Sequence, residues 1–242
     1  MQNQYDPRMT GVNAAATASV PRAARDAGLR SYMLSVYNYM ASGVLLTGIV
    51  AYLFAASGMA EQVLSTPLRW VIMLAPLGFV MAMSFGLNRM STATLQMLFW
   101  AFATVMGLSM SSIFLVYTGV SIAQTFFAVS VGFLGLSLYG YTTKKDLSGF
   151  GTFLIMGVIG LLVAMVINIF LQSTVMHLMI SAIGVLIFAG LTAYDTQKIK
   201  SMYAHVAGTD MMGKVVIMGA LNLYLDFVNM FTFLLSFMGN RE

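Results

Sequence analysis

The chain has 242 residues, of which 59% are hydrophobic and only 8% charged, and its formal net charge is +4. Soluble domains carry about 25% charged residues, so this composition is typical of an integral membrane protein. The sequence contains no cysteine, which excludes disulfides, thiolate catalysis and zinc or iron–sulfur centres held by cysteine.

Residues 1–30 differ from the rest because they are small, polar and basic, include Pro7 and Pro21, and lack the apolar core of a secretion signal. We expect a disordered, basic cytoplasmic tail here, whose last ten residues suit either a short helix on anionic headgroups or a contact for a partner. No linker divides the remainder, so residues 31–242 are predicted to form one transmembrane domain.

Apolar runs of about 20 residues are long enough to cross roughly 30 Å of hydrocarbon as a helix. The sequence has seven of them, approximately at residues 33–57, 70–88, 95–117, 120–142, 150–172, 176–197 and 215–237. Ala103, Gly107 and Ser111 recur every four residues in the third run, a spacing of small residues that allows close helix contact in lipid. The sequence therefore predicts an all-α integral membrane protein with seven transmembrane helices.

The distribution of basic residues predicts the orientation of these helices. With a cytoplasmic N-terminus, the inside segments hold Arg8, Arg22, Arg25, Arg30, Arg89, Lys144, Lys145, Lys198, Lys200 and Lys214, and the outside segments hold Arg69 and Arg241. Basic residues concentrate on the cytoplasmic side of membrane proteins. This bias of ten against two predicts an inside N-terminus, an outside C-terminus and an odd number of spans.

Two aspartates, Asp195 and Asp226, fall within the last two predicted spans. An ionisable group there costs roughly 3 kcal/mol or more and marks an ion or proton path. Each aspartate belongs to a polar seam whose residues recur at steps of three and four, and so share one helical face. The seams consist of His177, Ser181, Gly184, Phe188, Thr192 and Asp195, and of Gly219, Asn222, Asp226, Asn229, Phe233 and Ser236. Both seams are predicted to face the interior of the bundle.

Three stretches of the chain, residues 32–41, 190–200 and 220–231, together resemble the Bax inhibitor-1 family in its bacterial branch, and the likeness extends from about residue 30 onward. The resemblance implies a seven-helix fold of the bacterial cytoplasmic membrane in which the last helix is central. It also implies a pH-sensitive calcium leak controlled by two aspartates, which match Asp195 and Asp226. A third family residue, an arginine that pairs with them as a latch, matches Arg89.

The chemistry of two neighbouring carboxyls supports the same hypothesis. In a low-dielectric seam Asp195 and Asp226 cannot both ionise cheaply, so they would share a proton and titrate as a coupled pair, which is a pH switch. Calcium prefers oxygen ligands, which Asn222, Asn229 and the two aspartates offer, while water or backbone must complete the six to eight it needs. We therefore expect calcium ions and protons to pass along the seam, which Thr192 also lines. We expect no cofactor to be bound permanently.

The depths of the two aspartates argue against easy pairing. Asp226 lies 12 residues from Lys214, or about 18 Å at 1.5 Å per residue, whereas Asp195 lies three residues, about 4.5 Å, from Lys198. Helix tilt, snorkelling lysines or a seventh helix that begins in the cytosol would reduce the difference.

Structural interpretations of the same residues remain open. Because it lies near Lys198, Asp195 could instead be a charge at the membrane interface. Asp226 could be a hydrogen-bond acceptor within the bundle, and Arg89 could be a determinant of topology. His177 suits an interfacial position better than a proton relay. The 22 methionines have no histidine or cysteine cluster beside them, which favours a packing role over a copper site.

Two segments match the motifs of other protein classes, but each match is incomplete. Residues 208–214 resemble a P-loop, but Val215 replaces the Ser or Thr that binds magnesium and no strand precedes it, so we expect no nucleotide. The sequence before Asp195 fits an intramembrane aspartyl protease, but residues 223–225 lack the glycines expected before Asp226. We therefore expect no enzymatic activity and no nucleic-acid partner. Regulation of a membrane-embedded ATP-dependent protease, described for some bacterial family members, is the alternative function, and proteolysis itself is the third.

Overall fold

The structure is a computed structural model that describes residues 22–240. Within that range the chain forms nine helices, seven of them long and apolar enough to cross a membrane. They are α1 Arg22–Ala56, α2 Met59–Leu64, α3 Leu68–Gly86, α4 Thr92–Met110, α5 Ile113–Val116, α6 Gly119–Thr142, α7 Ser148–Leu171, α8 Thr174–Val206 and α9 Met211–Met238. The prediction of an all-α protein with seven transmembrane helices is confirmed, with α4 and α5 together forming the third span.

The first helix begins earlier than expected, which corrects the prediction of disorder for residues 22–30. Its first turns pack against the end of α8, where a Cβ at Gly28 would collide with the Tyr203 hydroxyl. One turn later the Tyr32 hydroxyl donates to the Ile199 carbonyl at 3.3 Å. These contacts order a segment that composition alone marks as a tail. The rest of the predicted tail, residues 1–21, lies outside the described residues.

The last helix, α9, is the centre of the bundle, as predicted. It contacts α1, α4, α6 and α8, and its 14 buried residues are distributed around the whole helix. A helix that is apolar on all sides is stable only when other elements surround it. The peripheral helices instead expose large apolar side chains on their outer faces, such as Phe153, Met156 and Phe170 of α7. Lipid is the solvent that suits such faces.

A buried hydrogen-bond network ties α9 to α1 and α4. The Thr47 hydroxyl donates to the Ala103 carbonyl at 2.8 Å, and the Tyr224 hydroxyl lies 2.7 Å from the same Thr47 oxygen. The close approach of α1 and α4 depends on Gly107, since a Cβ there would lie 2.7 Å from the Val50 side chain and 2.8 Å from the Thr47 carbonyl. The predicted stripe of small residues therefore faces α1.

This close approach predicts that Gly107→Leu destabilises the protein by about 1–3 kcal/mol, because the added side chain must separate α1 from α4. Thermal unfolding in detergent measures the effect. Gly132→Leu is the matched control, since a Cβ at Gly132 meets nothing within 4 Å. Equal stability of the two variants would show that the α1–α4 contact is looser than described.

Candidate functional site

The carboxyl groups of Asp195 and Asp226 meet inside the bundle, between α8 and α9. They lie within hydrogen-bonding reach of each other. Asp226 is only 4% exposed, and Asp195 is half-buried. The structure therefore brings together the two residues that the polar seams singled out.

The length of α8 explains how residues of different predicted depth meet. The predicted span ends at residue 197, but α8 continues to Val206, so Asp195 lies 11 residues inside the helix end. Asp226 lies 15 residues from the start of α9 at Met211. The remaining difference of four residues corresponds to about 6 Å at 1.5 Å per residue, which a moderate tilt accommodates.

The surroundings of the pair supply few other hydrogen bonds. Two seam residues donate hydrogen bonds within their own helices. Thr192 donates to the Phe188 carbonyl at 2.8 Å, and Asn229 donates to the Leu225 carbonyl at 2.8 Å. Oδ2 of Asp226 is buried without a partner. An unpaired buried carboxylate oxygen is costly, so the contact is stable when one proton is shared between the two carboxyls.

The cationic residue whose charge acts on Asp195 is Lys198, one turn further along α8. Arg89, the expected latch, is exposed instead. The physical reason is that α3 ends at Gly86, so Arg89 belongs to the loop that follows it and not to the helix. Among the described residues, the charge that acts on the pair from outside it is that of Lys198 and not that of Arg89.

A cavity of about 450 Å³, with polar side chains on a largely apolar wall, lies between α7, α8 and α9, on the side of the pair away from Lys198. We call it the seam cavity. Its polar lining residues are Asn168, His177, Ser181, Asn229, Thr232 and Ser236. Nε2 of His177 is buried there without a hydrogen-bond partner, three residues after the start of α8 at Thr174. Members of both predicted seams therefore line one cavity.

An aromatic stack joins α8 and α9 beside the seam cavity. The rings of Phe188 and Phe233 lie 5.8 Å apart with an interplanar angle of 24°. Phe188 precedes Asp195 by seven residues and Phe233 follows Asp226 by seven, so both rings lie two turns from the pair on antiparallel helices. Gly184 makes room for the stack, because a Cβ there would lie 2.6 Å from the Phe233 ring.

Comparison with known proteins agrees with this architecture. The family described as inhibitor of apoptosis-promoting Bax1 matches residues 29–242. The chain belongs to the Bax inhibitor-1 family. A Rickettsia prowazekii protein is 48% identical over 219 residues, which is 90% of this chain and 92% of its own. The inner membrane protein YbhL of Escherichia coli K12 is 44% identical over 220 residues, 89% of this chain and 94% of its own.

A membrane protein of Streptococcus pyogenes is a more distant relative, 33% identical over 223 residues, which is 90% of this chain and 96% of its own. Together with the seven apolar helices, these relatives identify the chain as a multi-pass protein of the inner membrane. This member of the Bax inhibitor-1 family thus carries its aspartate pair within the membrane domain.

Two residues near the pair escaped the sequence analysis as functional candidates. Thr196 is fully buried and its hydroxyl has no hydrogen-bond partner, although its place directly after Asp195 was a visible signal. Lys198 was considered only as a marker of the interface, whereas a spacing of three residues puts it on the same helical face as Asp195. Asn222 is half-buried on the seam of α9.

Within residues 22–240 there is no cluster of three or more acidic, histidine or cysteine side chains that would hold a metal ion. Two carboxylates alone do not fill the six to eight oxygen positions of calcium. The arrangement of the pair suits brief contact with a cation or a proton.

The shared proton predicts an infrared C=O band of a protonated carboxyl in the wild-type protein at neutral pH. We expect Asp195→Asn and Asp226→Asn each to remove or shift this band, because each removes one half of the proton site. Asp210→Asn, at an exposed carboxylate before α9, should leave it unchanged. A wild-type spectrum with carboxylate bands alone would contradict proton sharing.

Proposed function

We propose that this protein is a pH-sensitive, calcium-permeable leak of the inner membrane, gated by protonation of Asp195 and Asp226. The observation that carries the proposal is the direct contact of these two carboxyls inside a bundle surrounded by lipid. Ionisable groups at such positions are costly and are found on ion and proton pathways.

The contact works as a switch because its stability depends on one proton. While the proton is shared, it links α8 to α9. Its loss would leave two adjacent carboxylates, whose repulsion at 4 Å is about 4 kcal/mol at an effective dielectric constant of 20. A second proton would replace a charge-assisted hydrogen bond by a weaker neutral one. Either change weakens the link between the helices and favours opening of the seam.

The seam cavity supports a route through the membrane on one side of the pair. Its polar lining reaches Asn229, three residues from Asp226. Phe188 and Phe233 stack across the seam, and we propose that this stack closes the route. Opening of the α8–α9 contact would separate the two rings and connect the cavity with the aspartates.

Calcium suits this route because the seam offers it oxygen ligands. Once deprotonated, Asp195 and Asp226 would provide two carboxylates, and Asn222 and Asn229 lie on the same face of α9. An ion that exchanges ligands with water at each step would pass without being held. We further propose that the end of the bundle with Lys198 is cytoplasmic, because basic residues concentrate there.

Replacement of either aspartate should flatten the pH dependence of calcium flux. We expect reconstituted wild-type protein to pass calcium into vesicles at a rate that changes with pH, and Asp195→Asn and Asp226→Asn to lose most of that change because the proton-sharing pair is gone. Flux is measured with a calcium dye inside the vesicles. Asp210→Asn is the control and should keep the wild-type profile.

An unchanged pH profile in both aspartate variants would overturn the gating mechanism. Absence of flux from the wild-type protein would instead favour the alternatives. Deletion of residues 2–21 leaves α1 intact and tests regulation of a membrane protease, through loss of a co-purified protease partner. Cleavage of membrane peptides that both Asp→Ala variants abolish would indicate proteolysis.

The aromatic stack yields a separate prediction. Phe188→Ala should increase calcium flux about fivefold under conditions where the wild-type protein is closed, because an aromatic pair contributes about 1 kcal/mol beyond its buried area. Phe153→Ala, which removes a ring exposed to lipid on α7, is the matched control. Lower or unchanged flux in Phe188→Ala would show that the stack does not close the route.

A further inference from the structure

Three lysines surround a polar pocket of about 300 Å³ where α6, α7 and α8 end on the same side of the bundle. We call it the lysine pocket. It is lined by Lys144, Lys145, Asp146, Ser148, Tyr194, Gln197, Lys198 and Ser201. All three lysine side chains are exposed, and one acidic residue accompanies them. The pocket therefore has a net positive charge, which suits an anion.

Gln197 holds the wall of this pocket in place. Its amide nitrogen donates to the Lys145 carbonyl at 2.8 Å, and its amide oxygen accepts from the Leu147 backbone N–H at 2.9 Å. One side chain of α8 thus fixes both sides of the loop between α6 and α7. This clamp holds the backbone that carries Lys145 beside α8, close to Lys198.

Asp146 already places one carboxylate in the lysine pocket. Its Oδ1 accepts from the Ser148 backbone N–H at 2.9 Å at the start of α7. Hydrogen bonding by the side chain and backbone of Ser148 holds the pKa of Asp146 below its usual range, so the carboxylate is charged at neutral pH. A carboxylate at a helix N-terminus is favourable, and it shows that the start of α7 accepts negative charge.

The surroundings of the pocket indicate where an anion would come from. Leu138 and Tyr139 near the end of α6 and Phe150 and Phe153 near the start of α7 are exposed apolar or aromatic residues. They place the pocket at the level where the lipid-facing surface gives way to the polar end of the bundle. Basic pockets at this level bind the phosphate groups of anionic lipids.

We propose that the lysine pocket binds the phosphate of an anionic phospholipid headgroup, held by Lys144, Lys145 and Lys198. Lysine binds phosphate as a point charge with several donors, so three of them accept a phosphodiester without strict geometry. The Tyr194 ring supports the site, since Nζ of Lys198 lies 5.8 Å from its centre.

Lys198 connects this site to the aspartate pair, because its charge also acts on Asp195. A phosphate in the pocket would draw the ammonium group away from Asp195 and weaken its stabilisation of the carboxylate. Headgroup binding would then alter the pH at which the pair gains or loses its proton. This regulatory role rests on the proposed leak function, whereas headgroup binding itself does not.

Binding is tested on the full chain in nanodiscs of phosphatidylcholine with a small fraction of phosphatidylglycerol, by native mass spectrometry of retained lipid. We expect Lys144→Gln and Lys145→Gln each to weaken phosphatidylglycerol binding about fivefold. Asp146→Asn should strengthen it, because the amide keeps the oxygen that accepts from Ser148 but loses the repelling charge. Arg89→Gln, at an exposed arginine of the same end, removes the same single charge and should have no effect.

Three outcomes would contradict headgroup binding in the lysine pocket. Equal loss of binding in Arg89→Gln would reduce the site to general surface charge and overturn the proposal, as would unchanged binding in both lysine variants. Displacement of phosphatidylglycerol by millimolar inorganic phosphate would show that a soluble anion, not the lipid, is the occupant.

Flux separates this proposal from the leak function. In vesicles with phosphatidylglycerol, Lys144→Gln with Lys145→Gln should shift the pH profile toward that recorded in phosphatidylcholine alone. Retained headgroup binding without any wild-type flux would refute the leak and keep the site. Normal flux with lipid-independent pH profiles would keep the leak and refute the regulation.

Discussion

The contact between two carboxyls in a lipid-surrounded bundle is the constraint on which the rest of the structure depends. Two close carboxyls in low-dielectric surroundings favour the sharing of one proton, and such surroundings require that α9 be enclosed around Asp226. The helix meets this condition with 14 buried residues and with the Tyr224 hydroxyl that joins it to α1. Burial of α9 thus protects Asp226 as much as it stabilises the fold.

The fold was largely predictable because the hydropathy and charge of each segment can be read from its own residues. Seven apolar runs predicted the seven spans, and the family resemblance predicted the central position of the last helix. Helix ends were less predictable. A hydropathy window stops at Lys198 and Lys200, whereas the α8 backbone continues to Val206, because charged residues are good helix formers outside the membrane.

The candidate site was predictable only as far as helical periodicity reaches. Periodicity indicated the faces that carry Asp195 and Asp226, and the resemblance indicated their pairing. It did not reveal the stack of Phe188 on Phe233 or the clamp by Gln197, since these depend on which side chains of different helices come within a few ångströms. Arg89 is a different case, because a motif match does not say that α3 ends at Gly86, three residues before it.

The antiparallel register of α8 and α9 explains why these parts can act together. Because both phenylalanines lie seven residues from their aspartates, one shift of α8 along or away from α9 changes the carboxyl contact and the aromatic contact at the same time. Lys198, one turn beyond Asp195, moves with them. Asp195, Phe188 and Lys198 thus lie on one helix, so the proposed proton switch, closure and headgroup site would act on one another through the position of α8.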